Sequence, residues 1–438
     1  MPSENPAPLD LGLLAPVTVG HDALVTDAAV AAALVEAEVA LVHAYAALGA
    51  TDAATATAVA DALEGARFDV ASLAAAGVAG GNPVIPLVGM LRATVPAEHA
   101  AWVHRGATSQ DVLDTALMLV ARRASAQTLD SLRATADVLA AFATRHRDLV
   151  AAARTLTQHA VPTTVGARST GWTRGIRRAI ARLECASAQL PAQFGGAGGT
   201  LAATVDEFGP ELAAALPGAY AQQLGLATPD APWHTTRWPV TELGDALVQA
   251  IDALGVVAAD VATLSRTEIG ELAEGAGGGS SAMPQKQNPV DAVLMRSAAL
   301  RAPQLGATLH LAAASAVDER PDGAWHAEWP TLRELLRLAL GAAAHGARLA
   351  SGLRVDADAV ARNLDADGGR IMAERLGRVL TPLIGRERFA QLLASGAPLA
   401  DAIRALPETA ELDVEALLDP ADYTGLAGRF VDELEGGA

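Results

Sequence analysis

"ALVQAIDALGVVAADVATL", residues 246–264, is apolar almost throughout, yet it carries Asp252 and Asp260. A helix that crosses a bilayer needs about 20 consecutive apolar residues, and two carboxylates within the run set that reading aside. The stretch reads instead as an inner helix of a packed bundle. The composition around it agrees. Of 438 residues 51% are apolar but only 3% aromatic, and alanine and leucine supply most of the apolar side chains. That balance favours closely packed helices over sheets, so the expected class is all-α.

Other long helical patterns flank the first: about residues 111–147, 168–190, 289–316 and 330–353, with 246–264 lying inside a pattern over 241–273. Near the N-terminus, Val30, Leu34, Val35, Val39, Leu41, Val42 and Tyr45 recur at helical spacing, with Gly49 as the expected C-cap. "AGGNPVIP" at 79–86 is too rich in Gly and Pro to be regular, and "LRVDADAVARNLDADGG" from 353 breaks the long pattern. Three regions follow: an N-terminal helical region at 1–105, a central long-helix bundle at 106–353 and a C-terminal helical region at 354–438.

The net charge of −18, without any basic cluster, argues against nucleic acid and anionic membrane surfaces as partners. One cysteine, Cys185, leaves no intrachain disulfide and is expected to be a small buried residue. The N-terminal stretch has no basic leader before its apolar residues, so the expected location is cytoplasmic. The ten histidines form no His-x-x-x-His or His-Glu-x-x-His arrangement, so no metal is expected. "GGGSSAMPQK" lacks the order of a phosphate loop, "GGAGGT" at 195–200 lacks dinucleotide-binding spacing, and there is no Gly-x-Ser-x-Gly elbow.

Three polar segments interrupt the helical text: "HRGATSQDVLDT" at 104–115, "ARTLTQHAVPTTVG" at 153–166 and "GAGGGSSAMPQKQNPV" at 275–290. Capping would explain any one of them, and Thr108 or Ser109 is a good N-cap. Capping does not require the glycine run, which makes a loop of the kind that carries catalytic groups. That loop also holds Lys286, the only lysine beside 31 arginines. An ammonium is a compact charge that a guanidinium does not replace in a small polar pocket, although a lone lysine on a solvated loop is the plain alternative.

The run Gly279-Ser280-Ser281-Ala282-Met283-Pro284-Gln285-Lys286-Gln287-Asn288 resembles the Gly-Ser-x-x-Met-x-x-Lys-x-Asn signature of the fumarase/aspartase superfamily, and the other two segments match its remaining signatures in order. The resemblance implies a three-domain all-α fold, a homotetramer around a helical bundle, and active sites that each draw their signature segments from three subunits. It implies Ser280 as the catalytic proton carrier, with Lys286 and Asn288 holding a substrate carboxylate or the charge that develops on it. A serine oxyanion needs backbone N–H groups and a cation around it, which a glycine-rich loop and Lys286 together supply. Ser281, Met283, Thr108, Ser109, Gln110, Thr155 and Gln158 are the implied substrate contacts, and no cofactor is implied.

Many relatives carry Thr-His-x-Gln in the second signature, whose histidine assists departure of an amine. Here the order is Thr155-Leu156-Thr157-Gln158, and leucine donates no proton. A carboxylate is already a stable anion at neutral pH, so the missing acid suits a reaction in which a carboxylate is the nucleophile or leaving group. His159 is a conceivable substitute or an ordinary polar histidine. "PWHTTRWPV" at 232–240, "DERPDGAWHAEWPTLREL" at 318–335 and "GGRIMAERL" at 368–376 resemble the 3-carboxy-cis,cis-muconate cycloisomerase branch, which implies lactonisation of a tricarboxylate to 4-carboxymuconolactone. Three carboxylates call for further cations or donors, for which Arg237, His104 and His326 are candidates. The same residues suit a surface ion pair, a helix entry and a spacer between Trp325 and Trp329. A fumarate-releasing lyase of the adenylosuccinate lyase kind and a catalytically silent helical tetramer are the alternatives.

Overall fold

The computed structural model describes residues 11–64, 66, 68–275, 278–279, 283 and 285–435. The chain is 69% helical, the class its composition favours. The first long helix, α1 (Asp27–Ala47), starts where the Thr26 hydroxyl accepts the Ala29 N–H. It ends in a left-handed Gly49 (φ 74°), with Gly49 N–H donating to Ala46 O and Ala50 N–H to Tyr45 O. Glycine adopts this conformation without the steric cost other residues meet, and the paired bonds satisfy carbonyls that a helix end leaves orphaned.

The other long helices are α2 (Ser109–Arg145), α3 (Val165–Ala188), α4 (Trp238–Leu264), α5 (Val290–Ala314) and α6 (Gly323–Gly352). Two differ from their sequence patterns. The fourth stops at Leu264 rather than 273: the chain turns through Ser265–Gly270, with Gly270 left-handed (φ 63°), into the strand β3 (Leu272–Ala273). Ile269 and Leu272 keep the apolar rhythm without the helix. The last begins at Gly323, with Pro330 inside it. Proline normally breaks a helix interior. Here Trp325 and Glu328, five and two residues earlier, are anchored by Asp114 and Arg237 and hold the first turns in place. The second polar segment, unassigned in the sequence, is an antiparallel hairpin of β1 (Val150–Thr155) and β2 (Gln158–Thr164). The short strand β3 pairs with β4 (Arg354–Val355).

The chain forms two compact units, Met1–Ser131 with Ala179–Asp252 and Ser297–Ala344, and Leu132–Arg178 with Ala253–Arg296 and His345–Ala438. Both are discontinuous in sequence. In the first unit, the helices Ala53–Leu63 and Pro210–Leu224 pack on α1. In the second, the hairpin residue Ala152 joins a core of Ile371, Met372, Leu376, Leu380 and their C-terminal neighbours. Cys185 is exposed, contrary to its expected burial. The buried face of α3 runs through Trp172, Ile176, Ala179 and Leu183, and position 185 points away from it.

Small residues let backbones approach. A Cβ on Gly341 of α6 would lie 2.1 Å from Val17 O and 3.2 Å from Thr18 Cα. Gly341→Ala is expected to destabilise the protein by about 3 kcal/mol, because backbone rather than a movable side chain blocks the new methyl; chemical denaturation of the variant checks this.

Candidate active site

The first signature segment lies in the first unit. Thr108 directly precedes α2: its N–H donates to a carboxylate oxygen of the fully buried Asp111 at 3.0 Å, and its carbonyl accepts the Asp111 N–H at 3.0 Å, closing the first turn. The same carboxylate accepts the Gly195 and Gly196 N–H groups, each at 2.9 Å, and faces His234 Nε2 at 2.7 Å. Gly195 must be glycine, since a Cβ there would meet Pro232 and His234 below 3 Å. Gln110 turns inward, its amide donating to Asp114 and to His234 O.

Arg237 is 3% exposed and committed within the protein. Its Nη1 and Nη2 donate to Asp114, and its Nε and Nη2 to Glu328. Burial alone would lower its pKa, but the two carboxylates outweigh burial and hold the guanidinium charged. The ring nitrogens of His326 face backbone carbonyls, Nδ1 that of Asp322 at 3.0 Å and Nε2 that of Gly81 at 2.8 Å. The ring packs beside Trp325 and Trp329, which themselves meet edge to face, so it occupies the spacer position. Sequence reading missed Arg320. Its Nη1 donates to Thr108 Oγ1 at 2.7 Å and its Nη2 to Ala197 O at 2.8 Å, placing a guanidinium on the partly exposed end of the first signature. The signal was the charged loop "DERPD", whose Asp318 is left-handed (φ 52°).

The second signature lies in the second unit, at the tip of the hairpin. Thr155 pairs with Gln158, and the two residues between them, Leu156 (φ 47°) and Thr157 (φ 73°), are both left-handed. This is the geometry of a tight turn that normally recruits Asn-Gly, and a branched residue in it is strained. Leu156 is 96% exposed, while Thr155 and Gln158 flank it, also exposed. His159 pairs with Arg154 across the ladder. Behind the tip, Arg154 and Arg168 converge on the buried Glu271, which also accepts from Asn363 Nδ2 at 2.9 Å. Burial pushes the Glu271 carboxyl up, but the Arg154 and Asn363 hydrogen bonds and the arginine charges prevail and hold it below the usual range.

Of the third signature, Ser280 and Ser281 lie outside the described residues; Met283, Lys286 and Asn288 lie within them, and the side chains of Met283 and Lys286 are exposed. The neck of the loop is closed by a two-bond bridge, Gly278 N–H to Asn288 O and Asn288 N–H to Gly278 O, both 2.9 Å. A Cβ at 278 would lie 2.2 Å from Val290 Cγ2, so the neck requires glycine. Just before the loop, the Glu274 carboxylate accepts the Asp291 and Ala292 N–H groups at the start of α5, and burial raises its pKa. Asp291 is gripped by His345 and Arg348. Burial raises the Asp291 carboxyl, but these two partners outweigh it and lower its pKa. Among the described residues, no group of three or more His, Cys, Asp or Glu side chains is placed to hold a metal ion.

Two outcomes follow from this geometry. A carboxyl whose folded pKa is lowered stabilises the fold above its unfolded pKa, and that contribution is lost as pH falls through the folded value. Glu271→Gln is therefore expected to cost about 3 kcal/mol at neutral pH, with wild type and variant converging in acid, as denaturation series across pH would show. The double change Leu156→Asn, Thr157→Gly supplies the residues the turn favours. It should stabilise the hairpin by about 1 kcal/mol, read by thermal unfolding.

The profile of a family described as Lyase matches residues 16–303. The nitrosuccinate lyase of Streptomyces davaonensis is 46% identical over 457 aligned positions, covering 99% of this chain and 96% of that protein. The 3-carboxy-cis,cis-muconate cycloisomerase of Bradyrhizobium diazoefficiens is 41% identical over 421 positions, covering 92% of each. The crystal structure of the 3-carboxy-cis,cis-muconate lactonizing enzyme from Pseudomonas putida superposes with a TM-score of 0.85 at 36% identity, over 93% of this chain and 94% of that one. The chain therefore belongs to this lyase family, within the fumarase/aspartase superfamily, and has its all-α fold.

Proposed function

We propose that this protein eliminates a leaving group that departs as a stable anion from a C4 dicarboxylate, with nitrosuccinate as substrate and fumarate and nitrite as products. The observation that carries the unprotonated, anionic leaving group is Leu156, an apolar side chain 96% exposed at the tip of the second signature, where many relatives carry a proton-donating histidine. Nitrite, like a carboxylate, needs no proton to leave at neutral pH. The 46% identity with a nitrosuccinate lyase across 99% of the chain supports the same choice. In the proposed steps Ser280 Oγ takes a proton from C3, and charge gathers on the adjoining carboxylate beside Lys286 and Asn288. The C2–N bond then breaks with its electron pair on nitrite, leaving the double bond of fumarate. Thr108, Ser109, Thr155 and Gln158 supply hydrogen bonds to carboxylate or nitro oxygens, the signature segments coming together in a homotetramer. No cofactor takes part.

A second reading is lactonisation of 3-carboxy-cis,cis-muconate, by attack of one carboxylate on the alkene and protonation of the neighbouring carbon by Ser280. It is favoured by the cycloisomerase relative at 41% identity, and Leu156 suits it equally. A tricarboxylate asks for more cations, and Arg237 is spent on Asp114 and Glu328, which weighs toward the smaller anion.

Purified protein given nitrosuccinate is expected to release nitrite, measured by diazo coupling, and fumarate in equal amounts. Ser280→Ala should slow this by about a thousandfold. Loss of diene absorbance from carboxymuconate without nitrite release would replace the first reading by the second; neither reaction from folded protein would overturn both.

A further inference from the structure

His104, at the start of the first signature, is held in an unusual way. Its backbone is left-handed (φ 61°), a conformation that side chains with a Cβ seldom adopt. Gly106, two residues on, has nearly the same φ of 69°, and there a Cβ would also lie 2.7 Å from Thr204 Oγ1 and 2.8 Å from the Tyr45 hydroxyl, so glycine answers both demands. At 104 the segment keeps a ring instead. The strain is offset by Glu38, 66 residues earlier on α1 and 1% exposed. Glu38 Oε2 accepts the His104 backbone N–H at 2.9 Å, and Oε1 lies 2.6 Å from His104 Nδ1. Two turns further along the same helix, the Tyr45 hydroxyl donates to Arg105 O at 3.0 Å, fixing the next residue. A carboxylate facing Nδ1 requires the proton there, which leaves Nε2 as the ring's other hydrogen-bonding atom. The His104 side chain is 16% exposed, so it is partly open to solvent.

We propose that Glu38 is a positioning residue. It fixes the tautomer and orientation of His104 so that Nε2 meets a carboxylate oxygen of the bound substrate. A ring that meets carboxylates at both nitrogens donates from both, and Glu38 is placed to balance such a ring from the Nδ1 side. The substrate contact rests on the functional reading above; the ring geometry does not.

The test uses the full chain labelled with 15N-histidine, the His104 signal being assigned by its loss in His104→Gln. In ligand-free wild type the imidazole shifts should show Nδ1 protonated, and in Glu38→Gln this preference should be lost with the unfolding temperature little changed. A wild-type ring protonated at Nε2 alone would overturn the proposal. On whichever of the two substrates wild type turns over, Glu38→Gln should lower kcat/KM about tenfold, mainly through KM. Adding it to His104→Gln should cost less than about twofold more. Unchanged kinetics in the single variant, or losses that multiply in the double variant, would make the pair a brace of the fold and overturn the proposal. If wild type turns over neither substrate, the functional reading fails and the substrate contact falls with it, whereas the spectrum still decides the role of Glu38 in setting the ring.

Discussion

Asp111 fixes where α2 begins, and the first signature depends on that. Its two oxygens receive the Thr108 N–H, two glycine N–H groups from residues 195 and 196, and the His234 ring. Hydrogen bonds to a charged group are each worth about 1.5–3 kcal/mol, more than most neutral ones. The glycines come from a stretch too short of side chains to organise itself, and the carboxylate supplies the order they lack. Once that turn is set, the Thr108 hydroxyl is placed to receive Arg320, and Gln110 turns inward to Asp114.

The same device recurs. Glu38 holds His104, Glu271 gathers Arg154, Arg168 and Asn363 behind the hairpin, and Glu274 caps α5 at the foot of the glycine-rich loop. Each of the three polar segments is backed by an acid one layer deeper. Polar and glycine-rich segments bury little apolar surface, so they gain little definition from packing. A buried carboxylate fixes two or more donors at once, and it works more strongly where water is excluded. The net charge of −18 thus includes acids with internal structural duties as well as those that solvate the surface.

The long helices were legible in the sequence because apolar periodicity acts over many residues, and the Gly49 cap because its chemistry is local. The helix limits near 273 and 330 were misplaced where distant partners decide: turn residues feed β3, and Asp114 and Arg237 extend α6 past its own proline. Cys185 misled because burial of a lone residue depends on which face of the helix it occupies. The candidate site was legible only in its front row. Motif spacing marked Thr108, Gln158 and Lys286, while Glu38, Arg320 and Glu271 bond to residues 66 to 212 positions away, and no local pattern announces such pairs.

Lys286 carries the chain's only lysine amine, and it lies exposed in the loop beside Asn288. Reagents that acylate lysine amines therefore have a single side-chain target, on the glycine-rich loop. A fluorophore attached to that side chain would report on the loop, without any cysteine engineering. For the same reason, immobilisation through the lysine side chain would tether every molecule by its glycine-rich loop, in a single orientation.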